Sequence, residues 1–400
     1  MARILNISDL ELFPVRNGTQ RTTFELCMFL AKKGHSISVV NLHNNNVNNK
    51  IRNIHWINAV YNLQLPKSKL PFGFIYRFLN YVYLRFFKIT VKQPFILTKL
   101  ELRKIDDIID REKIDTLLIH RAHLGRYVKY LNKTGVKLKI LQAHDLQYMR
   151  DDRFQNFKGK DISKKLEKHI RSEINILNYF DKVIDLADYE VKDLVSRGIS
   201  TNLLYSNGIP VEYMDYSKYN DQGKYDLLFV GGNLFQNKVS LDWFIQNVWE
   251  NIDQTRYKFA IAGRICVLLK DKKYNNLILL GEFDTARDIY SNSKIVIAPL
   301  VVGSGVKVKV VEALMNSKVV ITNNLGIEGI NVRKQRDYIH CEESEEWITN
   351  IENIIADNKL LKRIGYNAWA WASKNATAES VYGELEKTIR IKTMCVDNKI

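Results

Sequence analysis

Residues 298–330 read APLVVGSGVKVKVVEALMNSKVVITNNLGIEGI. Few chains can accommodate that stretch except as a strand, turn, helix and strand in succession. Lys294 to Pro299 is a short apolar run closed by a proline, as in a buried strand that stops there. Gly303, Ser304 and Gly305 form a turn. From Val306 to Asn316, apolar residues recur at 306, 310, 311 and 314, the spacing of one helix face. Lys318 to Thr322 is a second, β-branched strand.

Such a unit has a chemical use. The first turn of a helix presents unpaired N–H groups and the positive end of its dipole. Two glycines let an anion approach that backbone closely. At about 100° per residue, Gly305, Lys309 and Glu312 share one face. A carboxylate there can accept hydrogen bonds from two ribose hydroxyls, and a lysine can balance a diphosphate. The local reading is a nucleotide-diphosphate site. An ordinary Rossmann-like unit with a solvated lysine pair remains open on this stretch alone, since GxGxxG is absent.

Beyond the local pattern, the stretch resembles the donor-binding signature of retaining GT-B glycosyltransferases of family GT4, the glycosyl transferases group 1. It is most similar to the branch reading GSGVKxKxxEA. The resemblance implies that Glu312 binds the ribose of a sugar nucleotide. Most members carry a second glutamate eight positions earlier, where this chain has Ser304. In this branch, lysines such as Lys307 and Lys309 appear instead.

The chain is 400 residues long with a formal net charge of +16. That length predicts two domains. Nucleic acid, an anionic membrane face or sugar-nucleotide diphosphates can each answer the charge, but no nucleic-acid motif is present. No run of about 18 apolar residues predicts a spanning helix. The N-terminus enters a strand directly, without a signal-peptide layout. The four cysteines are scattered with no CxxC, which suggests reduced thiols in the cytosol.

Strands are expected at Ala2–Ser8, Ile37–Leu42, Asp115–Ile119, Leu138–Ala143 and Asp181–Leu186. The opening loop, Asn17-Gly18-Thr19-Gln20-Arg21, is similar to the family's N-terminal glycine loop with one glycine fewer. Gly18 lets backbone approach a ligand, and Arg21 either reaches a phosphate or caps the fold. Residues 67–92 interleave aromatics with Arg77, Arg85 and Lys88. They form either a membrane-interface helix or a core-facing one. His120 and His123 make an HxxH pair at a strand end, better suited to lining a cleft than to a metal, for which no third ligand is apparent. His144-Asp145 opens a segment resembling the family's HDxEyxR, and His144 is expected to position an acceptor hydroxyl or the transferring sugar. Leu203–Pro210 resembles the turn that ends the N-terminal domain.

A second sheet is expected from Asp226. FVGGNLFQNKVSLDWF, with Gly231, Gly232 and Asn233, resembles FVGSNxxPNxxxLxWF, and its glycines leave room for phosphates or the donor sugar. Arg264, at the end of the strand Phe259–Gly263, is a candidate diphosphate cation. Lys238 is a loose substitute for a cation usual in the family.

The expected architecture is α/β, a GT-B fold with two Rossmann-like domains facing across a cleft. Residues 1–210 form the acceptor side, 211–224 a linker and 225–370 the nucleotide-sugar domain. Residues 371–400 form a helix crossing back. The resemblance implies a retaining hexosyltransferase acting in envelope polysaccharide, glycolipid or glycan biosynthesis. Expected catalytic residues are His144, Asp145 and Gly18. Expected donor-binding residues are Glu312, Lys309, Lys307, Gly303, Ser304, Gly305, Val306, Gly231, Gly232, Asn233 and Arg264. No metal or other cofactor is expected. Partners are a nucleotide sugar and a glycan, lipid-linked or protein acceptor, with no nucleic acid. The location is the cytoplasm, with residues 67–92 a candidate contact to the inner membrane surface. A sugar-nucleotide epimerase and a non-catalytic GT-B subunit stay open as alternatives.

Overall fold

The computed structural model describes residues 1–10, 12–13, 15, 18–42, 54–63, 97–131, 134–218, 223–269, 276–283 and 285–394. The basic aromatic segment 67–92 lies outside them. The described chain builds two parallel sheets. The first runs β3-β2-β1-β4-β5-β6-β7, from β1 (Arg3–Ser8), β2 (Ser36–Asn41), β3 (Ile57–Asn62), β4 (Thr116–His120), β5 (Leu138–Gln142), β6 (Lys182–Leu186) and β7 (Leu204–Ser206). The second runs β10-β9-β8-β11-β12-β13, from β8 (Tyr225–Val230), β9 (Phe259–Ala262), β10 (Leu277–Gly281), β11 (Ser293–Ala298), β12 (Val319–Thr322) and β13 (Ile339–His340).

These strands are apolar on both faces because helices cover both sides of each sheet, as parallel sheets require. Every residue of Thr116–His120 and of Val319–Thr322 is buried. One layer of the first domain packs Leu5, Ile119 and Leu141 against Ile105, Ile109 and Leu177. The opposite layer packs Ile4, Ile37 and Leu138 against Leu26 and Leu30. The second domain repeats the arrangement, with Phe229, Ile297 and Ile321 facing Phe244, Trp249 and Trp347.

In each sheet the strand order reverses beside the first strand, between β1 and β4 and between β8 and β11. Open α/β sheets bind ligands in the crevice at such a switch, past the carboxyl ends of the strands. Asn6 and His120 end one crevice; Gly231 and Pro299 end the other.

The segment joining the sheets is packed. Val211 and Met214 are buried, Val211 N–H donates to Ala376 C=O at 2.9 Å, and Trp369 Nε1 donates to Met214 C=O at 2.8 Å. The final described helix, Ala378–Met394, lies on the first domain. Its Tyr382, Leu385 and Ile389 are buried with Leu26, Cys27 and Ile37. His35 Nε2 meets Glu386 Oε1 at 3.1 Å, and an Arg390 nitrogen donates to Lys33 C=O at 2.6 Å.

Candidate active site

The helix of the second domain's central unit spans Val308–Met315, and Lys307 is its N-cap. It therefore starts later than the spacing predicts, and Gly305 belongs to the preceding turn. Its φ of +66° is the left-handed region that favours glycine. A Cβ at Gly305 would lie 3.2 Å from the His144 carbonyl oxygen and 3.3 Å from Asp145 Cβ. The Gly303–Gly305 turn and the His144-Asp145 loop are thus in contact, and the contact needs a residue without a side chain.

Three side chains hold this turn from across the cleft. Ser304 Oγ donates to Asp145 Oδ2 at 2.6 Å. Gly305 N–H donates to the Tyr189 hydroxyl at 3.2 Å. Arg153 donates to Gly303 C=O at 3.2 Å and forks onto Glu328 at 2.6 and 2.8 Å. A Cβ on Gly18 would sit 2.7 Å from Val308 Cγ2, so the first domain's N-terminal helix touches the start of the donor helix. Arg21, on the same helix, lies between Glu25 at 3.6 Å and Glu312 at 3.9 Å.

Lys307 is buried and donates to Gly305 C=O at 2.6 Å. Burial pushes its amine down to about 8, against the pull of Glu328. Lys309 donates to Asn237 Oδ1 at 3.1 Å and lies 4.5 Å from the centre of the Phe229 ring. Burial, with Lys307 nearby, lowers it to about 7. Lys307 has Glu328 at 3.9 Å, whereas Lys309 has no carboxylate among its described contacts, so Lys309 is the better suited to an incoming anion. Glu312 Oε2 accepts from the buried Tyr290 hydroxyl at 3.2 Å, and burial raises its carboxyl despite Arg21. A solvent-open pocket beside it is lined by Arg21, Met214, Ala286, Arg287, Glu312 and Asn316, among others.

On the facing side, the loop of His144 and Asp145 is held by two buried carboxylates. Glu190 accepts from Leu146 N–H at 2.9 Å, and Glu173 from the N–H groups of Gln147 and Tyr148 at 3.0 Å each. Burial raises both acids to about 7. His144 has a φ of +67°, unusual for a side chain of its size. Its ring is turned inward: Nδ1 lies 3.2 Å from Thr22 Oγ1 and Nε2 lies 3.4 Å from His120 Nδ1. Both ring nitrogens expected to position an acceptor hydroxyl or the transferring sugar thus lie beside protein groups. What His144 presents to Gly305 is its backbone carbonyl.

Other expected residues are placed differently. Gly231 is closely packed: a Cβ there would lie 2.9 Å from the Phe229 ring and 3.3 Å from the Asn237 side chain. Gly232 is open, and Asn233 is exposed at the loop tip. Arg264 is paired with Glu282 at 3.1 Å, and Lys238 is paired with Asp242 on its own helix. Val306 is half-buried and touches Gly329. His123 pairs with Asp9 at 2.8 Å, away from the His120–His144 contact. Among the described residues, no three His, Cys, Asp or Glu side chains converge as a metal would require.

Arg153, Tyr189, Tyr290, Glu328 and Asp185 were not singled out by sequence. Only Glu328 carried a signal, as the acid of the Gly326–Gly329 segment.

Residues 224–357 match the family model described as Glycosyl transferases group 1. That segment, about a third of the chain, is a group 1 glycosyltransferase domain, set in a GT-B fold. The chain is 23% identical to an uncharacterised 44.6 kDa protein in the cps region of Klebsiella pneumoniae, over 97% of this chain and all of the relative. Among solved structures, it is similar to sucrose-phosphate synthase from Thermosynechococcus elongatus. That match has a TM-score of 0.73 and 12% identity, covering 99% of this chain and 100% of the other. It is also similar to Anabaena HepE in complex with UDP, with a TM-score of 0.65 and 15% identity, covering 97% and 100%. Among the described residues of the glycosyltransferase, no helix is long and apolar enough to cross a membrane.

Proposed function

We propose that this glycosyltransferase moves a sugar from a nucleotide-diphosphate donor to a hydroxyl acceptor, with retention of anomeric configuration. The observation that carries the reading is the convergence on one helix start. The Gly303–Gly305 turn, two amines depressed by burial and the ribose-suited carboxylate of Glu312 lie together, with the His144 carbonyl opposite. Lys307, Lys309 and the helix N-terminus would stabilise charge growing on the leaving diphosphate. The His144 carbonyl oxygen would face the positive charge growing on the sugar. The bond from the anomeric carbon to the diphosphate oxygen breaks, the bond to the acceptor oxygen forms, and the acceptor proton passes to the departing diphosphate. Asp145, tied to Ser304, would set the distance between the two loops. The closed contacts exclude water and so limit donor hydrolysis.

The acceptor class is a glycan, a lipid-linked sugar or a protein, in envelope polysaccharide or glycolipid synthesis. The similarity to a protein in a cps region favours a polysaccharide setting. Work at the cytoplasmic membrane face, through residues 67–92, belongs to the same proposal. Because the HepE structure holds UDP, uridine donors come first in the test. A thermal-shift screen against UDP, GDP, ADP, CMP and TDP sugars compares wild type with Glu312→Ala. A melting-temperature rise with one nucleotide, lost in the variant, supports the reading, since a ligand of the native state must raise it. No shift with any of them overturns it in favour of a non-catalytic subunit.

A further inference from the structure

The transfer leaves Arg21 unused, yet Arg21 stands beside the carboxylate assigned to the ribose. It lies on the first domain's helix Gly18–Lys32, while Glu312 lies on the second domain's helix Val308–Met315. Its Nε is 3.9 Å from Glu312 Oε1, and its Nη1 is 3.6 Å from Glu25 Oε1. Arg21 and Glu312 line the same solvent-open pocket, one from each domain. Among the described residues, Arg21 alone forms an ion pair with Glu312.

The other surroundings of Glu312 mostly work against its charge. Burial raises its carboxyl, and Glu25 and Glu212 raise it further, while Arg21 and the Tyr290 hydroxyl oppose them. Glu25 is itself raised, by burial and by Glu212, against the pull of Arg21. Three carboxylates therefore share one arginine. Tyr290 is a weak substitute, because its hydroxyl has one proton and two acceptors, Glu312 Oε2 and Lys309 C=O, each at 3.2 Å. Arg287 lines the pocket from the helix Ala286–Ser291 but makes no ion pair with Glu312 among the described residues. Lys309, on the helix of Glu312 itself, is turned to Asn237.

Charge decides what Glu312 can hold. A carboxylate accepts on both oxygens, as two neighbouring ribose hydroxyls require, whereas a carboxylic acid spends one oxygen as a donor. Without a nearby positive charge, a buried carboxylate takes up its proton at higher pH.

We propose that Arg21 is a positioning residue that keeps the Glu312 carboxylate ionised from across the cleft, so that the ribose site of the second domain takes its counter-charge from the first. The ribose belongs to the transfer reading, but the charge of Glu312 can be measured with no ligand present. Ribose binding favours the ionised carboxyl, so nucleotide affinity is present above the pH at which free Glu312 titrates and is lost as pH falls through it. Removing Arg21 moves that loss to higher pH. This acid limb is separate from any effect of the lysine amines, which lose charge as pH rises.

The test follows the Glu312 carboxyl in the full, ligand-free chain by ¹³C NMR of labelled glutamate, with the resonance assigned by Glu312→Gln. Arg21→Met is expected to move its titration to higher pH. Arg21→Lys, which keeps the charge, is expected to stay nearer wild type. Arg21→Gln takes the place of the methionine variant if that one does not fold. An unchanged titration in the uncharged variant, or a lysine variant that matches it, overturns the proposal. UDP reads the consequence: between about pH 7 and about pH 5.5, Arg21→Met is expected to lose roughly tenfold more affinity than wild type loses. Equal losses also overturn the proposal. Failure of the transfer reading would show instead as no binding by any nucleotide in the screen, and the ligand-free titration would still decide the role of Arg21.

Discussion

Arg153 grips Glu328 with both terminal nitrogens, at 2.6 and 2.8 Å, although 175 residues of chain separate them. Arg153 lies on the helix Gln147–Phe157 of the first domain, and Glu328 follows the central unit of the second. The same guanidinium holds Gly303 C=O and stacks 5.3 Å from the Tyr189 ring centre. A planar fork on a carboxylate fixes direction as well as distance. The pair therefore sets how the two crevices face each other.

Breaking that fork loosens the cleft more than it unfolds the chain. Both side chains keep some exposure, so solvent screens their attraction, and a coupling of about 1 kcal/mol is expected. A double-mutant cycle of Arg153→Ala and Glu328→Ala, read by thermal melting, measures it. Arg153→Ala alone should weaken nucleotide binding by roughly tenfold, for want of the closed arrangement. Unchanged affinity would mean that the fork does not govern closure.

Glu312 should dominate nucleotide affinity. Losing a charged acceptor of hydrogen bonds costs about 1.5–3 kcal/mol, which corresponds to a drop of roughly 10- to 150-fold for Glu312→Ala. Tyr290→Phe removes one donor to that carboxylate and should cost less, roughly threefold to tenfold. Isothermal titration with the nucleotide found in the screen ranks the two; the reverse order contradicts the placement of the ribose on Glu312.

Nucleotide binding should weaken as pH rises above neutrality. Lys309 is lowered to about 7 and Lys307 to about 8 by burial. A bound diphosphate favours the charged amine, so binding takes up protons. Affinity is then fullest below about pH 7 and falls as pH passes through the free-state values, by up to about tenfold per unit for each amine. Lys309→Arg, charged throughout, should flatten the profile between about pH 7 and pH 9. An identical profile in that variant would remove Lys309 from the diphosphate.

Gly18→Ala tests the closest approach of the two domains. The added methyl would lie 2.7 Å from Val308 Cγ2, so one helix must withdraw. A stability loss of about 1–3 kcal/mol is expected for such crowding, together with weaker nucleotide binding. Small-angle scattering should register a more open average shape. Wild-type affinity with a lowered melting temperature would confine Gly18 to packing.

The two-sheet plan was legible because it is written locally. Apolar β-branched runs, the proline after β11 and helical spacing from Val306 each report on a few neighbouring residues, and parallel buried strands show that pattern strongly. Helix ends were less legible. The helix begins at Val308 because the turn before it must pass beneath His144, a constraint more than 150 positions away in sequence. Partner choice was the least legible feature. Nothing near Arg153 marks it for Glu328, nothing near His120 marks it for His144, and nothing near Arg264 shows that Glu282 already holds it; the Lys238–Asp242 pair, four residues apart on one helix, was legible. Composition at one position carries no address for a contact made across a cleft.

The helix Ala378–Met394 supplies Tyr382, Leu385 and Ile389 to a core whose other members begin at Ala2. Tyr382 also donates toward Asp185, beside His144, and toward Thr22 C=O. Domains usually fold as units while the chain is being made, the first before the last. Here the first sheet leaves the ribosome with one side of Leu26 and Ile37 uncovered, and it must wait for Tyr382, Leu385 and Ile389, which follow the whole second sheet in the chain. Completion of the first crevice is thereby coupled to synthesis of the second sheet: a nascent chain cannot cover that face until residues 378–394 have emerged.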